Sequence, residues 1–296
     1  MIYLLLAIVC SSMIAIIMRL SEKHVRSTMV MFTTTYAVCT FTAFCFTGGP
    51  GTFVLGSGIE WAAALGFGSG FIYLGTLIFL QRSVHYNGVI LSNAAKKLGS
   101  VLIPIIIAVV FFHDTMGWIK ICGVIIAVAA IILINFEKKH TVSGGEESGE
   151  LDREAGTELG SKRLLLVLLL LIAGVTDSMV NVYGRTGVAD FSTHFLFFTF
   201  GTGMLIALSV SIIKKEKPVP ADILWGIALG IPNYFPSRLL QLSLEEIPAV
   251  ITYPVFSVGS IVISTVVGTL AFRERLTRQK MFAILLILIS MALLNL

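Results

Sequence analysis

The chain has 296 residues, of which 56% are hydrophobic and 13% charged, with a formal net charge of +4. A typical soluble protein carries about 25% charged residues, so this composition excludes an ordinary water-soluble globule. The small positive excess gives no sign of a nucleic-acid partner, and its distribution matters more than its size.

Uncharged runs near the roughly 20 residues that a helix needs to cross a bilayer recur along the chain. They predict ten spans, at about 2–20, 28–47, 59–80, 88–111, 117–136, 163–183, 191–213, 222–242, 248–271 and 278–296. The runs are continuous rather than alternating, which favours helices over a closed barrel. The fold class expected is therefore an all-α integral membrane protein. The first run, 1–20, has no positive leader and no small-residue cleavage site, and is expected to be a retained helix. Cys10, Cys39, Cys45 and Cys122 lie in or beside apolar runs without a CxxC pair, and read as free thiols.

Span three carries Gly66, Gly68, Gly70 and Gly75, small residues that let helices approach closely and read as contact surface rather than ligand. Span four begins near Gly88 and holds Lys96 and Lys97. At 1.5 Å per residue Lys97 lies about 14 Å deep, near the bilayer midplane. A lysine there costs several kcal/mol unless water or a partner meets it. Lys96 points about 100° away, so one of the two is expected to face the interior while the other snorkels. Lys97 is the one favoured for the interior, since it shares a face with Asn93, Val101 and Pro104 at helical spacing. Its ammonium is a candidate site for a substrate carboxylate or phosphate.

After span five comes the one long polar stretch, 137–162, with GGEESGE at its centre. Its composition is that of a solvated linker. It divides the chain into a first five-helix unit, 1–136, and a second, 163–296. Asp177 is the lone acid deep in a span and is a candidate coupling or gating residue, within a lysine's reach of Lys97. A coupling proton is one partner it admits. Span eight reads IPNYFPSRLLQ. Pro232 and Pro236 free backbone carbonyls, so this stretch is expected to line a cavity, with Asn233, Tyr234 and Arg238 as candidate ligands. Span nine adds Tyr253 and Ser257 to the candidate substrate site. His85, His113 and His194 sit near span ends without metal-ligand spacing. The sequence contains no Walker A loop, HExxH or GxSxG. No cofactor, metal or catalytic role is expected.

The two units repeat one another. Leu98–Asn135 aligns with Val258–Asn295 at a shift of 160 positions without a gap, matching Gly99 to Gly259, Ser100 to Ser260, Phe112 to Phe272 and Asn135 to Asn295. Asp114 faces Glu274 in the same alignment, Asn93 faces Tyr253 and Lys97 faces Ser257. A weaker echo pairs Gly66 with Gly230. Of the 21 basic residues, those in loops fall almost all on the odd-numbered side, among them Arg19, Lys23, Arg26, Arg82, Lys214, Lys215, Lys217, Arg273 and Arg278. Only Lys120 and Arg185 fall on the even side. This bias predicts cytoplasmic odd loops and linker, with both termini outside. An odd number of spans per unit then turns the second unit upside down, an inverted five-plus-five repeat of the kind transporters use.

Two stretches, KKLGSVLIPIIIAVVFFHD and IPNYFPSRLLQLSLEEIPAVITYPVFSVGS followed by FRERL, resemble the drug/metabolite transporter superfamily of the EamA-like type. The resemblance covers nearly the whole chain. It implies export of amino acids and related metabolites, or exchange of sugar derivatives, from a bacterial inner membrane. It also implies a central cavity lined by spans three, four, eight and nine with help from spans one, six and seven. Carried over, it implies Asn93, Lys97, Asn233, Tyr253, Ser257 and Asp177 as site residues. The expected activity is secondary transport of a small polar metabolite, amino-acid-like or an organic anion, by alternating access. A passive facilitator and a non-transporting membrane receptor are the alternatives. The expected partners are the small-molecule substrate and the lipid bilayer.

Overall fold

The computed structural model of the chain describes residues 2–54, 56, 58–112, 117–135, 149–246, 249–274 and 277–294. Within these ranges the side chains of 149–161, 249–254 and a few other helical positions are not described. His113, Asp114, residues 136–148 of the expected linker region and the side chain of Tyr253 thus lie outside the described residues. Apart from two short 3-10 turns, every regular element is an α-helix: α1 (Ile2–Ser21), α2 (Thr28–Phe46), α3 (Ile59–Phe112), α4 (Trp118–Asn135), α5 (Gly149–Thr186), α6 (Ser192–Ile213), α7 (Pro220–Glu246), α8 (Ala249–Leu270) and α9 (Arg278–Leu294). Helix closes every backbone hydrogen bond within its own segment, which apolar surroundings demand. In α2 the hydroxyls of Thr33, Thr34, Thr35, Thr40 and Thr42 also donate to carbonyls four residues back, so each of these five donors is satisfied within the helix.

Nine helices among the described residues stand where ten spans were expected. The expected third and fourth spans share α3, which breaks at Gly88 with φ 84° and ψ 172°. The break is a reversal. The hydroxyls of Ser83 and Ser92 are 2.7 Å apart, whereas nine residues of continuous helix span about 13 Å. α3 is therefore a hairpin of two antiparallel arms, 59–87 and 89–112, turned on one glycine whose positive φ suits no other residue type. The polar run QRSVHYN before the turn is carried on the last turns of the first arm rather than in a loop. α5 starts at Gly149, so the later part of the expected linker is helical.

Five stretches among the described residues are long and apolar enough to cross a membrane: α1, α2, residues 59–107 of α3, residues 162–186 of α5, and α6. Shorter apolar helical segments cover 255–270 and 281–294. Large apolar side chains such as Leu5, Phe41, Phe71 and Ile213 are exposed on the outside, as a lipid-facing surface requires.

α2 packs against α6 and α7, α3 against α5 and α6, α1 against α7 and α8, and α4 against α9. The repeated glycines sit at these crossings. A methyl added at Gly66 would lie 2.6 Å from Cβ of Phe198 on α6, and one at Gly230 would lie 2.7 Å from Cβ of Val38 on α2. One at Gly99 would lie 2.0 Å from the Leu170 carbonyl oxygen of α5, and one at Gly259 would lie 2.8 Å from Cδ1 of Ile8 on α1. Gly70 and Gly75 are likewise closed by Thr202 and Ile172, while Gly68 faces open space. Each matched glycine therefore packs on a helix from the other half of the chain.

The loops between α1 and α2, α6 and α7, and α8 and α9 gather at one end with the turn at Gly88, and we call this the basic end. Asp222 is fully buried there and accepts the backbone N–H groups of Arg26 at 2.8 Å and Ser27 at 3.3 Å. Ser27 also donates its hydroxyl to Glu216 and caps α2 by accepting Val30 N–H.

Gly99→Ala should lower the thermal midpoint of the purified protein or abolish its folding, because overpacking against backbone costs about 1–3 kcal/mol or more. Gly68→Ala, at the same chemistry in open space, should leave the midpoint unchanged or raise it slightly. A differential scanning measurement in detergent that ranks the two the other way would contradict this packing.

Candidate functional site

Lys97 lies on the second arm of α3, eight residues beyond Val89 and so about 12 Å along that arm. It is buried, 6% exposed, and its Nζ sits 3.8 Å from the centre of the Phe256 ring on α8. The ring face offers negative potential to the ammonium, a contact that strengthens as water is excluded. Lys96 is half-buried. Both lysines lie within electrostatic reach of Asp177 on α5. The Ser100 hydroxyl stands between the Lys96 carbonyl, at 3.0 Å, and the Asp177 carboxylate, to which it also hydrogen-bonds. Its single proton serves one of them at a time.

The two lysines do face different ways, as consecutive helical residues must. Lys96, Gly99 and Ser100 share the face towards α5 at helical spacing, and Gly99 marks its closest approach to that helix. Lys97 turns to α8 instead. Their long stems nevertheless bring both charges to bear on Asp177, so Lys96 is not a snorkelling bystander. Two ammonium groups and one carboxylate leave this region with a formal charge of +1.

Asn93, one turn nearer the basic end, is buried. Its amide donates to the Ser264 hydroxyl at 2.6 Å and to the Ser260 carbonyl at 3.1 Å. Ser12 of α1 donates to the same Ser260 carbonyl at 3.2 Å. Asn93 thus ties α3 to α8 through hydrogen bonds that already occupy its amide hydrogens, and Ser12 brings α1 to the same carbonyl. Ser257 is buried on α8 next to Phe256.

The α7 residues assemble elsewhere. Asn233 donates its amide to the Cys39 thiol at 3.5 Å, and that thiol contacts the Gly230 carbonyl at 3.4 Å. Tyr234 is buried and stacks on Phe46 with ring centres 5.9 Å apart and planes 10° from parallel. The guanidinium of Arg238 lies 5.8 Å from the centre of the same ring. These three α7 side chains are turned towards α2, two of them at its far end from the basic loops. Tyr73, on the first arm of α3, joins the two groups, within electrostatic reach of both Asp177 and Cys39. Tyr36, wholly buried and 6.1 Å from Phe200 between ring centres, adds a hydroxyl with no hydrogen-bond partner among the described residues.

Phe256, Ser100, Tyr73 and Tyr36 are absent from the sequence expectation. Ser100 was visible only as a repeat match, and a lone tyrosine in an apolar run carries no signal of what it faces. His194 is buried in an aromatic pocket against Phe53, with Nε2 2.9 Å from the Thr52 hydroxyl. Among the described residues no cluster of three or more His, Cys, Asp or Glu could hold a metal ion.

A solved crystal structure is similar over 99% of this chain and 94% of its own, with a TM-score of 0.61 at 14% sequence identity; that likeness concerns the fold. A protein of Haemophilus influenzae described as an uncharacterized protein is 24% identical over 223 residues, 73% of this chain and 71% of its own length. Residues 164–296 match the EamA-like transporter family. The second half of the chain is thus similar to the EamA-like transporter family, and the first half is not covered by that match.

Proposed function

We propose that the chain is a secondary transporter that moves a small polar metabolite, amino-acid-like or an organic anion, by alternating access. The likeness of residues 164–296 to the EamA-like transporter family supports a multi-pass membrane transporter; the substrate, the mechanism and the direction are our reading. The observation that carries it is the buried Lys97 ammonium, grouped with Lys96 and Asp177 at the junction of α3, α5 and α8. Membrane proteins retain such costly charges for transport of ions and solutes. A net positive site suits a substrate carrying a carboxylate or phosphate, with Ser257 and Ser100 beside it to orient the remainder. Asn233, Tyr234, Arg238 and Tyr253 form the second part of the proposed lining.

Alternating access gains support from the glycines that match between the halves and pack reciprocally across them, as expected of an inverted repeat with five arms on each side. It gains support also from the packing along the second arm of α3. Val89, Ile90, Asn93, Ala94 and Leu98 are buried, whereas Ile106, Val110 and Phe111 are exposed. In this reading the basic end is closed and access lies at the opposite end. The positive-inside rule makes the basic end cytoplasmic in a bacterial inner membrane. Export is the proposed direction, on the family resemblance.

In proteoliposomes, counterflow screening against amino acids and organic anions should find a substrate that exchanges across the membrane. Lys97→Ala should then reduce its transport roughly tenfold or more, as expected for losing a charge-assisted contact. Full transport by Lys97→Ala would remove the central residue, and conductance without counterflow would favour a passive facilitator. Stability should move the other way. Lys97→Met replaces a desolvated charge with an apolar chain of similar length, and should raise the thermal midpoint by a few degrees, on the order of 1 kcal/mol. A fall of several degrees would make Lys97 a packing residue.

A further inference from the structure

We infer that Glu274 and Arg19 form a two-sided clamp on the α3 turn, which closes the basic end of the bundle and releases when that end opens. The inference rests on the alternating-access reading and adds to it the groups that hold one gate shut.

The turn at Gly88 creates the need for such a clamp. A helix start leaves its first N–H groups without acceptors, and a helix end leaves its last carbonyls without donors. At Gly88 both lie side by side. The Glu274 carboxylate, just after α8, accepts Val89 N–H through Oε1 at 2.7 Å and Ile90 N–H through Oε2 at 3.2 Å. On the other side, Nη1 of Arg19, near the end of α1, lies 3.4 Å from each of the Val84 and His85 carbonyl oxygens. Arg19 is itself held by Glu22 at 2.9 Å, which also lies 3.5 Å from Nδ1 of His85. An anion thus meets the positive end of one arm and a cation the negative end of the other, each matching the helix dipole.

Two features make this a gate contact rather than a local cap. First, it joins α3, which packs most extensively on α5 and α6, to α1 and α8, which also pack on each other. Second, it is the outermost rung of a ladder between the second arm of α3 and antiparallel α8. Inward from Glu274 on Val89 come Gly268 against Ile90, then Ser264 and Ser260 on Asn93, and finally Phe256 on Lys97. The rungs descend in order from the basic end to the candidate site. Opening them from the clamp inward would expose Lys97 to the basic side. Gly88 is part of the device, since a methyl there would lie 2.8 Å from the Glu274 carboxylate.

The contacts are made by backbone amides, so hydrogen–deuterium exchange of the full chain in lipid nanodiscs, without substrate, reads them directly. Glu274→Ala should speed exchange of segments 88–95 and 257–272 about tenfold, the effect of losing charge-assisted hydrogen bonds at an opening seam. Glu274→Gln keeps one acceptor and should give a smaller rise. Segment 28–46, packed on α6 and α7, should exchange as in the unmodified chain in both variants. Unchanged exchange at the seam in Glu274→Ala would overturn the clamp, and so would a rise matched by segment 28–46 in both variants. Because no solute is involved, a chain that transports nothing can still show the clamp, and an active transporter can still lack it.

Discussion

The close crossing of α3 and α5 is the constraint on which the polar centre depends. At Gly99 the second arm comes so near α5 that the Leu170 carbonyl would lie 2.0 Å from a methyl group. From the other side, a methyl at Gly174 would lie 2.6 Å from the Gly99 carbonyl oxygen. Glycine on both helices is what lets the backbones meet. The neighbouring polar residues are thereby forced together: Ser100 beside Gly99, Lys96 one turn before it, and Asp177 one turn after Gly174 on α5. With bulkier residues at the crossing the helices would separate by an ångström or more, and the charges would lose their mutual neutralisation in a low-dielectric interior.

From this crossing the polar groups divide by direction. The α5 side holds Asp177 and the Ser100 hydroxyl, and the α8 side holds Lys97 over Phe256. Towards the basic end, Asn93 and its serine partners tie the same arm to α8 and α1. The α7 side chains turn to α2, where Asn233 meets Cys39 and Tyr234 and Arg238 share the Phe46 ring. The first-arm residue Tyr73 lies between the two groups. A substrate lodged here would meet charge on one wall and aromatic surface on the other, an arrangement suited to a small molecule with an anionic head and a partly apolar body.

Much of the helical layout was legible in the chain because apolar runs of bilayer length admit few other structures. The glycine pairs Gly99 with Gly259 and Gly66 with Gly230 were legible too, and each glycine sits at a close helix contact. Lys97 stood out because a charge at mid-span has no bland position. Other features needed coordinates. The polar run QRSVHYNG marked the boundary between spans three and four, but not that it stays helical up to a turn on one glycine, so the two expected spans share one helix broken at Gly88. Lys96 was expected to snorkel, but a rotation of 100° separates backbones and not the ends of four-carbon side chains. The α7 stretch IPNYFPSR was expected to line a cavity because prolines signal freed carbonyls; that Asn233, Tyr234 and Arg238 meet Cys39 and Phe46 of α2 is packing that no spacing rule anticipates. Glu274 was visible as the partner of Asp114 in the repeat, but the donors to its carboxylate are two backbone amides 185 and 184 residues away.

The central claim is that a lysine ammonium halfway along the bundle stands at a water-accessible point between two gates. Lys97→Cys, in a chain whose four native cysteines are replaced by serine, tests it most directly. Reaction with a membrane-impermeant methanethiosulfonate reagent should proceed from the side opposite the basic loops. It should also proceed from the basic side once Glu274→Ala is added. A thiol at position 97 that stays unreactive from both sides in both backgrounds would place the lysine in a dry helix contact and contradict the account.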